Sequence, residues 1–280
     1  MATYPLKMKL ADLKEKSREI RKDLIKMIFE AKSGHPGGSL SATDVMTVLY
    51  YEVMKHDPKN PNWEDRDKFI LSKGHICPLL YTILGHCGYF SKDEFKTLRK
   101  LGSKLQGHPD RKKLPGIEAS TGSLGQGLSI AVGMAIALKH DKKPNRVYCM
   151  MGDGEQDEGQ IWEAVMAGSQ FGLDNLCGIV DSNMLQIDGW VDEVMTVGPL
   201  ADRYKSFGWN VIEIDGHNFE QIRYAFRRAK QTKRKPTVII TNTIKGHGIS
   251  FMEDQAGWHG KAPNSEQTEK ALKEIDEMEF

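Results

Sequence analysis

Val147-Tyr148-Cys149-Met150-Met151-Gly152-Asp153-Gly154-Glu155 is the stretch that decides the fold of this 280-residue chain. The apolar run from Val147 to Met151, closed by glycine, reads as a buried strand ending in a turn. The pattern returns at Leu176 to Val180, closed by Asp181-Ser182-Asn183-Met184-Leu185. Asp153 and Asn183 lie 30 positions apart, the length of a strand, a crossover helix and a return to a neighbouring parallel strand. A carboxylate and an amide then emerge at the same edge of one sheet.

Outward from this pair, helical and strand-like segments alternate without repeats or low-complexity linkers. Asp12 to Ala31 spaces Leu13, Ile20, Leu24 and Ile28 as a helix does, opposite a charged side, and Ser41 to Met54 reads as a second helix. Phe69 to Leu71 reads as a short buried strand. Ser91 followed by Glu94 predicts a capping box opening a helix that runs to Leu101. Ser123 to Leu138, rich in Gly and Ala, predicts a tightly packed helix whose amino end approaches a ligand. Strands are expected near Asn210 to Ile214 and Thr237 to Asn242, separated by a helix from about Phe219 to Lys230, and the tail around Glu266 to Ile275 reads as a peripheral helix. The fold class expected is α/β, a mostly parallel sheet with helices on both faces, in a single domain spanning 1–280. Ligands of such sheets bind at the carboxyl ends of the strands. Ser72-Lys73-Gly74-His75, Asp153, Asn183 and Lys245 all follow strand-like runs, so one edge collects the chemistry.

The residue types at that edge suit a magnesium diphosphate site. Magnesium takes near-octahedral oxygen coordination from a few protein ligands, leaving the rest to phosphates and water. Asp153 offers a carboxylate, Asn183 its side-chain carbonyl and Leu185 a backbone carbonyl. Gly152 and Gly154 let the backbone approach an anion, and a helix expected to begin near Gln156 would point free amides at it. A lone Gly-Asp-Gly is more often a plain strand-to-helix turn. The spacing and the second cluster favour the site.

Composition excludes other roles. Thirty-nine basic and 38 acidic residues nearly cancel, so no global field recruits nucleic acid or an anionic membrane, and Arg227-Arg228 and Lys233-Arg234-Lys235 read as solvated faces. The longest apolar stretch, within Leu128 to Leu138, is shorter than the roughly 20 residues of a membrane span. The charged amino terminus lacks a signal peptide's apolar core. Cys77, Cys87, Cys149 and Cys177 show no Cys-x-x-Cys pairing, which fits reduced thiols and a cytoplasmic location.

Gly-Asp-Gly followed some thirty residues on by an Asn-containing turn resembles the thiamin diphosphate fingerprint. Six further motifs resemble those of transketolases, in the family's order: Ser33-Gly34-His35-Pro36-Gly37-Gly38, Ser72-Lys73-Gly74-His75, Gly107-His108-Pro109, Thr121-Gly122-Ser123-Leu124-Gly125-Gln126-Gly127, Lys245-Gly246-His247-Gly248 and Trp258-His259-Gly260-Lys261. The resemblance covers nearly the whole chain.

It implies thiamin diphosphate and Mg2+ as cofactors, with Ca2+ or Mn2+ as possible substitutes, and Asp153, Asn183 and Leu185 as metal ligands. His259, His108 and His35 are implied as catalytic, lining the substrate channel and stabilising an alkoxide or moving its proton. His75, Gly122, Ser123, Leu124, Gly154, Glu155, Asn183, Lys245 and His259 are implied to contact the cofactor, with His247 near the diphosphate. Glu158 and Glu163 match positions at the family's dimer interface, and Ile161, Trp162, Val165 and Met166 cover more than one face of their helix, as an interface helix would. His56, His86, His140 and His217 match nothing and read as structural or surface residues. Ser123 stands where many relatives have proline, and Gly38 where relatives often have a hydroxyl.

Family members are more than twice as long, and their later domains supply the glutamate that activates the aminopyrimidine, that ring's pocket and the arginines that hold the sugar phosphate. The chain therefore resembles the N-terminal subunit of a split transketolase, paired with a C-terminal subunit in a dimer of heterodimers that acts on sugar phosphates. Alternatives are a related ketol or acyl transferase with another sugar substrate, and a noncatalytic cofactor-binding subunit.

Overall fold

The strands take their places because the central ones are apolar on both faces and so must be covered on both. In the computed structural model, which describes residues 3–280, they are β1 (Lys68–Leu71), β2 (Val147–Gly152), β3 (Leu176–Ser182), β4 (Asn210–Asp215) and β5 (Thr237–Asn242). They form one sheet in the order β1-β2-β3-β5-β4, and every pairing between these strands is parallel. The helices are α1 (Leu10–Ala31), α2 (Pro36–Ser41), α3 (Thr43–Val48), α4 (Cys77–Cys87), α5 (Gln126–His140), α6 (Gly159–Gln170), α7 (Val191–Val194), α8 (Leu200–Ser206), α9 (Phe219–Gln231) and α10 (Ser265–Glu277).

Side-chain alternation splits the interior into two layers. Tyr148, Met150, Cys177, Ile179 and Ile239 face the layer shared with α1, α3, α4, α9 and α10. Val147, Cys149, Met151, Leu176, Val180, Val238 and Ile240 face the layer shared with α5, α6 and α8. The expected α/β architecture is the one observed. Register sets the site: Gly152 pairs with Asp181 and Ser182 with Asn242, so β2, β3 and β5 end level with one another.

Four local expectations need correction. The helix read over Ser41 to Met54 is α2 and α3 followed by a π turn at Leu49–Val53. Ser39, Thr43 and Thr47 each donate a hydroxyl to the carbonyl four residues back, at 2.6, 2.8 and 2.7 Å, a contact that bends helices. The capping box at Ser91 does not form: Ser91 Oγ accepts from Asp93 N at 3.2 Å, and a single 3₁₀ segment, Lys92–Thr97, ends where Leu98 turns extended. No helix begins near Gln156; a 3₁₀ turn occupies Gly154–Asp157 and α6 starts at Gly159. Finally, α10 is not merely peripheral, because its Thr268, Ala271 and Ile275 are buried and Arg18 of α1 donates to Ile275 O and Met278 O at 3.1 and 2.6 Å.

Candidate active site

The carboxyl ends of β1, β2, β3 and β5 open onto a cavity of about 290 Å3. Nine of the residues singled out from sequence line it: His75, Leu124, Asp153, Gly154, Glu155, Asn183, Leu185, Lys245 and His259. Asp153 Oδ1 accepts from Gly154 N at 2.8 Å and its Oδ2 from Met184 N at 2.5 Å. Asn183 Nδ2 donates to Asp181 Oδ2 at 3.1 Å while its Oδ1 accepts from Leu185 N at 3.2 Å, which fixes the amide's orientation. Asp153, Asn183 and Leu185 line the same cavity, and a carboxylate, an amide oxygen and a backbone carbonyl are the hard oxygen donors that Mg2+ or Ca2+ prefers, although the Leu185 carbonyl here already accepts from Lys245 Nζ at 2.5 Å. Burial, then the charge of Asp181, raises the pKa of Asp153; both effects penalise its charged form and would be offset by a cation.

The charge that faces an anion here comes from side chains rather than from a helix start. Gly154 N is taken by Asp153 Oδ1, and Gln156 N by Asp153 O at 2.9 Å, so the amides expected to cradle an anion are committed to the turn. Lys245, 2% exposed, lines the cavity instead. Its Nζ donates to Leu185 O at 2.5 Å and to His259 Nδ1 at 2.9 Å. Burial, then neighbouring Lys73, lowers its pKa to about 8. Glu155 lines the cavity, but Ser72 Oγ, Gly125 N (2.8 Å) and Gly152 N (3.1 Å) all donate to its carboxylate, so its structural task is bracing the loops.

Three histidines form a triangle beside the cavity. Ring centroids of His35 and His75 are 5.2 Å apart, His35 and His259 5.4 Å, and His75 and His259 5.2 Å. Burial is the first cause of each depressed pKa: His35 falls to about 4, His259 to about 3, and His75 well below its ordinary value. All three are therefore neutral at physiological pH, each with one N–H and one lone pair. His108 packs on Gly122, where φ is +145° and a Cβ would lie 2.8 Å from His108 Cδ2, so only glycine fits against that histidine; neither residue lines the cavity, and His108 lines a separate pocket with Arg99 and Gly107. Ser123 is exposed and does not line the cavity. Gly38 does, and a Cβ there would lie 3.7 Å from Lys73 Nζ and 3.9 Å from His75 Nε2.

His247 is not at the cavity, against expectation. Its ring stacks on His217 at 3.6 Å, inside a buried network in which Arg21 donates to both oxygens of Asp44 at 2.7 and 2.8 Å and His217 Nδ1 meets Asp44 Oδ2 at 2.9 Å. Ligand atoms of Asp44, His217 and His247 lie within 4.8 Å of one another. Arg21 already neutralises that carboxylate, so this is an ion-pair network. His217 Nε2 accepts from Ile244 N at 3.0 Å, anchoring the turn that carries Lys245. His217 is thus structural, as read from sequence. Exposed Glu158 stands at the N-cap of α6 and exposed Glu163 lies within it, where Ile161 and Val165 face inward while Met166 is 49% exposed. Trp162 is committed within the chain, donating to Gln156 O at 3.0 Å.

Sequence reasoning missed Asp181 and gave Lys73 no role of its own, although the two form a buried ion pair that Ser41 and Thr243 complete at 2.6 Å each. It also missed Arg99, which touches the loops of His35 and His108. The one usable signal for Asp181 was its place directly after an apolar run, where a carboxylate that becomes buried demands a partner.

Comparison with known proteins agrees with this geometry. Residues 14–278 match the family described as transketolase, thiamine diphosphate binding domain. The chain is similar to one subunit of the apulose-4-phosphate transketolase of Phocaeicola vulgatus, with 46% identity over 270 residues and 96% of each chain covered. It is also similar to the 6-deoxy-6-sulfo-D-fructose transketolase subunit SqwG of a Clostridium species, at 44% identity over 95% of this chain and 96% of that one. Among solved structures, transketolase from Campylobacter jejuni superposes with a TM-score of 0.91 at 35% identity over 96% of this chain. The match spans 43% of that longer polypeptide. The chain belongs to the transketolase family and carries its thiamine diphosphate-binding domain.

Proposed function

We propose that this chain is the cofactor-binding subunit of a heteromeric transketolase that moves a two-carbon ketol group from a ketose phosphate to an aldose phosphate. The observation that carries this reading is the convergence, at one sheet edge, of the Asp153, Asn183 and Leu185 oxygens and the Lys245 ammonium with the His35, His75 and His259 triangle. On this reading Asp153, Asn183 and Leu185 hold Mg2+, and Lys245, His75, Leu124 and Gly154 contact the cofactor. Thiamin diphosphate, when bound, supplies the carbon nucleophile and electron sink that carbon–carbon cleavage beside a carbonyl requires. The chain's own part is to fix the diphosphate, exclude water and move protons. Neutral His35, His108 and His259 donate hydrogen bonds to sugar oxygens and accept or return hydroxyl protons, work suited to imidazole near neutrality.

The partner is proposed to be a separate polypeptide carrying the pyrimidine-binding half, because similar proteins of nearly the same length are named as subunits. A dimer of such pairs is supported by the outer side of α5 and α6, where Gly133, Ala137 and Met166 are exposed. A cytoplasmic location is supported by four free, buried cysteines; no described helix is long and apolar enough to cross a membrane. One similar protein is named for a phosphorylated sugar and another for a sulfonated one, so both substrate types belong in the assay. Mixing this chain with its partner polypeptide, Mg2+ and thiamin diphosphate should give ketol transfer that neither gives by itself. Failure with every phosphorylated or sulfonated ketose donor would refute the activity.

A further inference from the structure

We propose that Arg99 is a positioning residue for the histidine cluster, holding His35 as the Nε2–H tautomer with that N–H turned toward the loop of His259 and Gly260. The proposal rests on the reading above, in which His35 meets substrate oxygen. Arg99 Nη1 donates to Ser33 Oγ at 2.7 Å, and its Nη2 donates to Gly107 O at 3.2 Å and to His35 Nδ1 at 3.5 Å. One guanidinium therefore ties the loop before α2 to the loop that carries His108. Guanidinium nitrogens only donate, so the His35 nitrogen they meet must present its lone pair. In a neutral imidazole the proton is then on the other nitrogen.

That other nitrogen lies toward the loop of His259. A Cβ placed on Gly260 would lie 3.6 Å from His35 Nε2, and Gly260 adjoins His259, whose ring forms the triangle with those of His35 and His75. The arrangement is repeated once: His259 presents Nδ1 to the donor Lys245 Nζ at 2.9 Å, which leaves its own proton on Nε2. Two basic side chains thus stand behind two neighbouring imidazoles and leave both as Nε2–H donors. Such donors recognise the carbonyl or hydroxyl oxygen of a sugar. Arg99 itself has φ +58°, a conformation uncommon for arginine that persists where surroundings over-determine it.

The charged and titratable groups around His35 are Arg99, Lys245, His75, His108 and His259. Burial, then Arg99, lowers its pKa to about 4. Removing the guanidinium leaves burial in place and takes away a like charge, so the midpoint must move upward.

Long-range 1H–15N NMR on the full chain with 15N-labelled histidine tests this, with the His35 signals assigned by their loss in His35→Asn. Wild type should show a single His35 tautomer, protonated at Nε2. Finding the proton on Nδ1 would overturn the proposal without any Arg99 variant. Arg99→Met should give mixed tautomers and a higher midpoint, and Arg99→Lys should restore the single tautomer. A His35 unchanged in both respects in Arg99→Met also contradicts it. In the assembled enzyme Arg99→Met should lower kcat/KM by about tenfold, below the loss of an acid–base group itself, and move the acid limb of the pH profile upward, with Arg99→Lys partly rescued. Absence of ketol transfer in the wild-type mixture would refute the proposed activity and leave the tautomer result standing.

Discussion

Asp153 at the end of β2 and Asp181 at the end of β3 are both buried, at 6% and 0% exposure, yet the chain treats them oppositely. Asp181 receives Lys73, Ser41, Thr243 and Asn183. Burial alone would raise its pKa, but Lys73 and these donors overcome that and hold it below the ordinary carboxylate range. Asp153 receives two backbone N–H groups, and burial with the nearby Asp181 charge raises it. One carboxylate is completed by the fold. The other has the electrostatics of a group awaiting a cation from outside. On the reading proposed above, a folding residue and a ligand-binding residue are thus distinguished by their partners, not by their burial.

The largest effect expected is on Asp181. Asp181→Ala strands Lys73 as an uncompensated buried charge, which costs about 3–5 kcal/mol, readable by chemical denaturation. A loss under about 1 kcal/mol would erase the contrast with Asp153.

His259→Ala sharpens the comparison by touching neither carboxylate. Cofactor affinity of the assembled enzyme should hold while kcat falls on the order of a hundredfold, measured by calorimetry and steady-state kinetics. Normal turnover would remove His259 from the chemistry.

Stability of the cofactor-free chain should respond to the two carboxylates with opposite sign. Asp181, with its folded pKa depressed, adds stability above its unfolded pKa and loses it as pH falls through the lower folded value. Asp153, with its folded pKa raised, costs stability once ionised, and that cost lifts as acidification protonates it. At neutral pH, Asp153→Asn should therefore raise Tm by a few degrees while Asp181→Asn lowers it. Equal signs in calorimetric melts would contradict the assignment.

The smallest effect is expected at Gly38→Ser. Its hydroxyl would sit near Lys73 and His75 after Ile76 Cγ2, 3.1 Å from the new Cβ, gives way. Changes in KM of about threefold or less are expected, the scale of one added neutral hydrogen bond.

The sheet around this pair was legible because strands covered on both faces leave unbroken apolar runs, as at Val147 to Met151 and Leu176 to Val180. Parallel return over 30 positions then put Asp153 and Asn183 at one edge. What stayed hidden depends on partners distant in sequence. Asp181 reads locally as the first residue of a polar turn, and only the fold brings Lys73 and Ser41 to it. Arg99 looks like one more basic residue near Lys100 and Lys104 until its loop folds against Ser33 and Gly107. His247 was misplaced because a Lys-Gly-His-Gly turn carries no mark of which side chain points at the cavity; the stack on His217 decided it. Helix continuity failed at Ser39, Thr43 and Thr47, where hydroxyls compete for backbone carbonyls.

The most direct test of the Asp153 reading is calorimetric titration of the assembled enzyme with thiamin diphosphate, with and without Mg2+. Wild type should bind in a magnesium-dependent manner, and Asp153→Ala should lose that dependence with an affinity drop of about a hundredfold. Unchanged, magnesium-dependent binding by Asp153→Ala would contradict the account.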